Sequence, residues 1–343
     1  MENRLIVSSP PYLRNGETSH CLMFDVLIAA VPIVAFSICF FGLYALGIMA
    51  VSIASAIATE LLIQIFITAR SFKFKPFFYN VLTSDEITVL DGSALATGLL
   101  LAFTLPPGVP IWIPIVGSAV AVSIGKHVFG GVGNNIFNPA LVGRAFLLAA
   151  WPGYMTTWRA PVSWFAAGGS SAVDAVTTAT PLAAMKLQNQ STPILDLVIG
   201  NTAGSLGEAS AVAILIGASY LLYKGTITWH IPFSFIGTVF FFSLVLGQNP
   251  VFHLFAGGLM LGAFFMATDV VTSPVTKTGR LIFGCGAGII TVLIRCFGGY
   301  PEGVCYAILI MNGFTPLIEK YTIRRYKPTE VNVPLVNKIL KNK

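Results

Sequence analysis

Charge is scarce in this sequence: Asp, Glu, Lys and Arg make up 10% of its 343 residues, while 55% are hydrophobic. A soluble domain carries about 25% charged residues, so an ordinary globular protein is excluded. Mean hydropathy is +0.80, and the apolar residues come in long repeated runs, which fit α-helical membrane spans rather than a barrel. The net charge is +6, yet the basic residues gather on no single amphipathic element, which argues against a nucleic-acid partner. Cysteine is also sparse. Cys21, Cys39, Cys285, Cys296 and Cys305 form no CxxC pair, a spacing too wide for a structural zinc or iron–sulfur site; the last three read as small packing residues. There is no phosphate-binding glycine loop of the Rossmann or Walker type, and no nucleophile–base arrangement. The opening stretch MENRLIVSSPPYLRNGETSH is polar and proline-bearing, so no cleavable signal is expected.

What the sequence does have is apolar runs near residues 24–44, 46–68, 88–105, 110–126, 137–151, 206–223, 230–247, 252–268, 281–297 and 301–318, ten candidate spans in all. Those at 88–105, 137–151 and 252–268 are short or interrupted and are expected to be partly broken helices. With both termini cytoplasmic, sixteen of the twenty basic residues fall inside, among them Lys126 and seven tail residues from Lys320 to Lys343. Only Arg159 and Lys186 fall in outside loops, while Arg144 and Arg295 sit in or beside spans. That asymmetry is what the positive-inside rule produces. Five segments follow: a cytoplasmic segment 1–20, a first membrane repeat 21–151, an extracytoplasmic loop 152–195, a second repeat 196–318 and a basic cytoplasmic tail 319–343.

The word repeat rests on an offset of 168 between residues 94–131 and 262–299. Phe129-Gly130-Gly131 falls on Phe297-Gly298-Gly299, and Thr104 and Pro106 fall on Thr272 and Pro274. Five intervening spans invert the second copy, giving a five-plus-five inverted repeat, a plan that places functional sites at the repeat interface near the midplane. Chance likeness between glycine-rich apolar helices is the competing reading.

Three stretches carry candidate chemistry. In GGVGNNIFNPALVGRAFLLAAWP, residues 130–152, Asn138 suits a helix cap and Pro139 a first helical turn. Arg144 then lies in apolar sequence, where a guanidinium needs a partner; a backbone carbonyl, a carboxylate such as Glu60 and a flavin are the alternatives. In ATDVVTSPVTKTGR, residues 267–280, Thr268, Asp269, Thr272, Ser273 and Thr276 group oxygen atoms around a proline break. They suit cation coordination or proton relay, and equally an ordinary polar helix end. Glu60 and Asp91 are open to the same two readings. The third stretch, DAVTTATPLA at 174–183, is rich in small hydroxyl residues in a loop placed outside the cytoplasm.

That third stretch resembles the flavinylation motif Asp-x-x-Ser/Thr-Gly-Ala-Thr/Ser of the ion-pumping Rnf and Na⁺-NQR complexes. Asp174, Thr177, Ala179 and Thr180 fall on motif positions, and Thr178 stands where the pattern usually has Gly. NNIFNPALVGRAFLLA and ATDVVTSPVTKTGR are similar to other stretches of the family formed by the D component of Rnf and the B component of Na⁺-NQR, over residues 20 to 320. The short N-terminal segment points to the Rnf type. The resemblance implies an all-α integral membrane protein of about ten helices with a urea-transporter-like fold. It implies FMN joined to Thr180 through a phosphoester, installed from FAD by a flavin transferase, and it suggests a noncovalent flavin such as riboflavin near the midplane. It further implies a place in the cell (inner) membrane, in lipid, alongside Rnf subunits A, B, C, E and G, in a complex coupling ferredoxin:NAD⁺ electron transfer to Na⁺ or H⁺ movement. The rival is a solute channel of similar fold without a flavin.

Overall fold

The structure is a computed structural model and describes residues 19–71, 91–161, 178–188, 192–208 and 210–323. Helices account for the regular structure, and the described residues contain no β-strand. In chain order they are α1 (Ser19–Phe41), α2 (Leu43–Ser71), α3 (Ser93–Phe103), α4 (Trp112–Val120), α5 (Pro139–Ala150), α6 (Pro152–Met155), α7 (Pro181–Gln188), α8 (Ile194–Ile199), α9 (Ala211–Lys224), α10 (His230–Val245), α11 (Pro250–Phe255), α12 (Leu259–Leu261), α13 (Lys277–Phe297) and α14 (Val304–Thr322). Each of the ten apolar runs contains at least one described helical segment. Helices α1, α2 and α13 are long and apolar enough to cross a bilayer unaided. Large apolar side chains such as Val31, Leu62, Phe66, Phe241 and Leu244 stay exposed on the outer faces, as a lipid-facing surface requires and a water-facing one does not.

The interrupted runs are interrupted for identifiable reasons. Helix α3 starts after Gly92, whose φ of 75° suits glycine, and ends at Thr104 before Pro106-Pro107. Between α11 and α12 the chain turns through Gly257 and Gly258, with φ of 69° and 65°. Two further segments are wound more loosely: α4 continues into a π-helical turn, Ala121–His127, and α12 into another, Gly262–Met266.

Small residues let these helices approach closely, the usual device where lipid gives no hydrophobic drive between helices. Helix α2 packs on α3 at Gly98, where a Cβ would lie 2.9 Å from Ile53 Cα. Ser52 Oγ donates to the Gly98 carbonyl at 2.7 Å and pairs with Ser118 Oγ at 2.8 Å. Helices α10 and α13 meet along Gly284 and Gly288, a G-x-x-x-G face against Ser234, Phe235 and Thr238. At one end, Trp112, Trp151, Tyr154 and Phe146 stack edge to face at centroid separations of 5.1 to 6.0 Å, the amphipathic cluster expected at a membrane interface.

Candidate functional site

Thr180 immediately precedes α7, and Pro181 occupies the first helical position. Its Oγ1 accepts a hydrogen bond from Ala183 N at 3.2 Å, and its carbonyl accepts from Ala184 N at 2.8 Å. Thr180 is therefore the helix cap, with its hydroxyl at the positive end of the α7 dipole. The helix is seated by Leu182, which packs with Leu197, Phe252 and Ala256 in a small apolar cluster of its own. That seat needs a glycine opposite: a Cβ on Gly257 would come within 2.1 Å of Leu182 Cδ1.

Thr180 lines a cavity of about 310 Å³, together with Thr178, Arg144, Glu208, Glu302, Trp158 and Tyr300 among others. Thr178 N donates to the Trp158 carbonyl at 3.1 Å, while its buried Oγ1 has no partner among the described residues. Ala179 also lines the cavity and is exposed. Asp174 and Thr177 lie outside the described residues.

Arg144 reaches the cavity from α5. Its Nη1 donates to the Thr104 carbonyl at the end of α3, at 2.5 Å, and its Nη2 pairs with Glu302 Oε2, just before α14. Glu60 is thus not the partner; packing brings up Glu302 from the far end of the sequence instead. The other carboxylate oxygen of Glu302, Oε1, is buried without a hydrogen bond among the described residues. Glu208 enters on the turn Leu206–Glu208, which is tied to α3 by Leu206 N to Leu105 O at 3.0 Å. Arg295 treats α11 as Arg144 treats α3. Its Nη1 and Nη2 donate to the carbonyls of His253 (2.6 Å), Ala256 (2.8 Å) and Gly257 (3.1 Å). Two guanidiniums therefore cap two broken-helix C-termini beside one cavity, where the helix dipoles are negative. The role of Arg295 was hidden in the sequence; its place in an apolar span was the one available signal.

A second group lies elsewhere. Lys126 Nζ donates to Glu60 Oε1 at 2.6 Å and to Ser93 Oγ at 2.8 Å. The side chains are 3% and 0% exposed, so Lys126, counted with the inside basic residues, is buried. Lys126 and Ser93 line a smaller cavity of about 90 Å³ with Asn135, Asn138, Thr268 and Asp269, flanked by both π turns. Asn138 caps α5 as expected, accepting from Ala140 N at 3.1 Å, and its Nδ2 reaches Met266 O at 3.1 Å. Several oxygens of 267–280 bond within a few residues of themselves: Thr268 Oγ1 donates to Phe264 O at 2.6 Å, Thr272 Oγ1 to the Asp269 side-chain Oδ2 at 3.2 Å, and Thr276 caps α13 by accepting from Gly279 N at 3.0 Å.

The family model described as "NQR2, RnfD, RnfE family" matches residues 6–327. The chain belongs to this family. Family relatives of known name are similar over nearly their whole length. The D component of the Na⁺-translocating ferredoxin:NAD⁺ oxidoreductase complex of Acetobacterium woodii is 47% identical over 329 residues, covering 94% of this chain and 95% of that protein. The D component of the proton-translocating ferredoxin:NAD⁺ oxidoreductase complex of Clostridium ljungdahlii is 43% identical over 339 residues, with 94% and 95% covered. That of an ion-translocating oxidoreductase complex of Escherichia coli is 36% identical, with 92% and 96% covered.

Proposed function

We propose that this chain is the D component of an Rnf-type complex, a membrane subunit that carries electrons through an FMN esterified to Thr180 while the complex moves Na⁺ or H⁺. The relatives' names support the complex. The observation that carries the flavin is Thr180 itself, a buried cap hydroxyl opening on a 310 Å³ cavity. Its bond to Ala183 N uses a lone pair and not the hydroxyl proton, so an ester oxygen keeps the cap. A phosphate there meets the α7 N-terminus, a natural anion site. Arg144 and the aromatic rings of Trp158 and Tyr300 line the space a ring system would enter, and Arg suits both an anionic group and an aromatic face. Bound FMN supplies the electron-transfer chemistry; the chain anchors it, orients it and surrounds it with fixed charge.

The finer architecture belongs to the same reading: ten spans in an inverted five-plus-five repeat of urea-transporter type, both termini cytoplasmic and the Thr180 loop outside. The paired broken helices, the paired π turns and the two capping arginines support it. To this reading also belong other Rnf subunits as partners, a flavin transferase acting on Asp174 to Thr180, and a noncovalent flavin such as riboflavin near the midplane.

The rival channel has no use for an esterified threonine, which gives the test. Protein purified from a host containing the transferase and run on a denaturing gel should fluoresce under ultraviolet light. Thr180→Ser should keep the band and the FMN mass increment, and Thr180→Ala should lose both while inserting normally. An FMN increment persisting on Thr180→Ala would sink the assignment and move attention to Thr177 and Thr178.

A further inference from the structure

Glu60, Lys126 and Ser93 meet from α2, the π turn after α4 and the start of α3, and the flavin chemistry uses none of them. An ionisable side chain at membrane depth is costly even on lenient scales. A buried ion pair returns little of that, since well-packed apolar groups of similar volume often stabilise as well or better. Holding α2, α3 and α4 together does not require charge either: Ser52, Ser118 and the Gly98 carbonyl join the same three helices with neutral groups. The pair therefore calls for a role beyond holding the helices.

Its surroundings supply one. The Lys126 ammonium is held by a carboxylate oxygen and a hydroxyl oxygen, the hard-oxygen ligation that an alkali cation takes. Behind it lies the 90 Å³ cavity, with Asp269 as a second carboxylate on its wall. Lysine has a flexible four-carbon stem and behaves as a mobile point charge. It stands on a π turn, a distortion frequent at functional sites. Among the described residues, His127 Nε2 lies 4.0 Å from Glu60 Oε1, and Asp91 adds a further negative charge acting on Lys126.

We propose that Glu60 and Ser93 form a seat for the translocated monovalent cation, with Lys126 as its tethered substitute. In the state described, Nζ fills the seat. When Na⁺ binds between Glu60 Oε1 and Ser93 Oγ, or a proton binds Glu60, the ammonium swings into the cavity towards Asp269, so one positive charge replaces another and no bare carboxylate is left buried. This rests on the Rnf reading only in placing the chain in an ion-translocating complex.

The test uses the whole complex in proteoliposomes, reading covalent flavin fluorescence, ferredoxin:NAD⁺ electron transfer, ²²Na⁺ uptake and proton uptake separately. The double variant Glu60→Met/Lys126→Met removes both charges without stranding either. It should assemble, keep its flavin and transfer electrons, while ion uptake per electron falls by about tenfold or more, the change that 1.4 kcal/mol of lost binding produces. Ser93→Ala should shift the half-saturating Na⁺ concentration by about threefold, or the half-maximal pH of proton uptake by the equivalent amount in a proton-moving complex. Wild-type ion yield in the double variant overturns the proposal. If that variant fails to assemble, Ser93→Ala decides, and unchanged cation dependence overturns it. A wild-type complex without covalent flavin would refute the Thr180 reading alone, because ion uptake is measured independently.

Discussion

Arg144 holds two partners that lie far apart in the chain, the Thr104 carbonyl and Glu302. Its fork serves both at once, and a lysine in its place could serve one. Glu302→Ala should strand a buried guanidinium, with a loss of about 3–5 kcal/mol seen as a large fall in thermal unfolding temperature and yield. Glu302→Gln keeps an acceptor and should cost clearly less. Arg144→Lys separates the staple from the proposed flavin contact. A cofactor role shifts the flavin midpoint in well-assembled protein, whereas an unchanged redox titration with lowered stability leaves Arg144 a staple only. Sequence reading flagged this arginine because charge in an apolar run demands compensation. It offered Glu60 and not Glu302 because nothing local distinguishes one carboxylate from another.

At the scale of elements, helix ends were the most legible feature. Asn138-Pro139 reads as a cap followed by a first turn, and the side chain caps α5. Its second bond, to Met266 O across 128 residues, was not legible. Asn138→Ala loses both, so it should destabilise by about 1–3 kcal/mol, of which roughly 1 is the cap. Asn138→Asp keeps the cap oxygen and should lie between the two in thermal unfolding. Close helix approaches give a sharper contrast. A Cβ on Gly217 of α9 would come 2.2 Å from the Ala29 carbonyl of α1, while one on Gly153 meets nothing within 4 Å. Gly217→Ala should fail to yield monodisperse protein where Gly153→Ala behaves as wild type, as size-exclusion profiles in detergent would report.

At the scale of the whole molecule the proposed topology is directly testable. In a cysteine-free background, Gly153→Cys, exposed beside the aromatic cluster, should react with an impermeant thiol reagent added outside intact cells. Tyr321→Cys, at the far end of α14 and also exposed, should react only after the membrane is opened. Labelling in the opposite sense would put Thr180 on the cytoplasmic side and end the extracytoplasmic flavin reading.

The apolar runs, their interruptions and the helix caps were determined by the sequence alone, because each depends on hydropathy or backbone chemistry within a few residues. The motif around Thr180 was read from its resemblance to a family pattern carried by consecutive residues. Only the tertiary structure decided which charges meet: Lys126 with Glu60 across 66 residues, Arg144 with Glu302 across 158, and Arg295 with the carbonyls that close α11. In an apolar bundle a charge settles on whichever oppositely polarised group the helix packing brings within reach, and that is set by glycine contacts and helix breaks acting together rather than by any local stretch of chain.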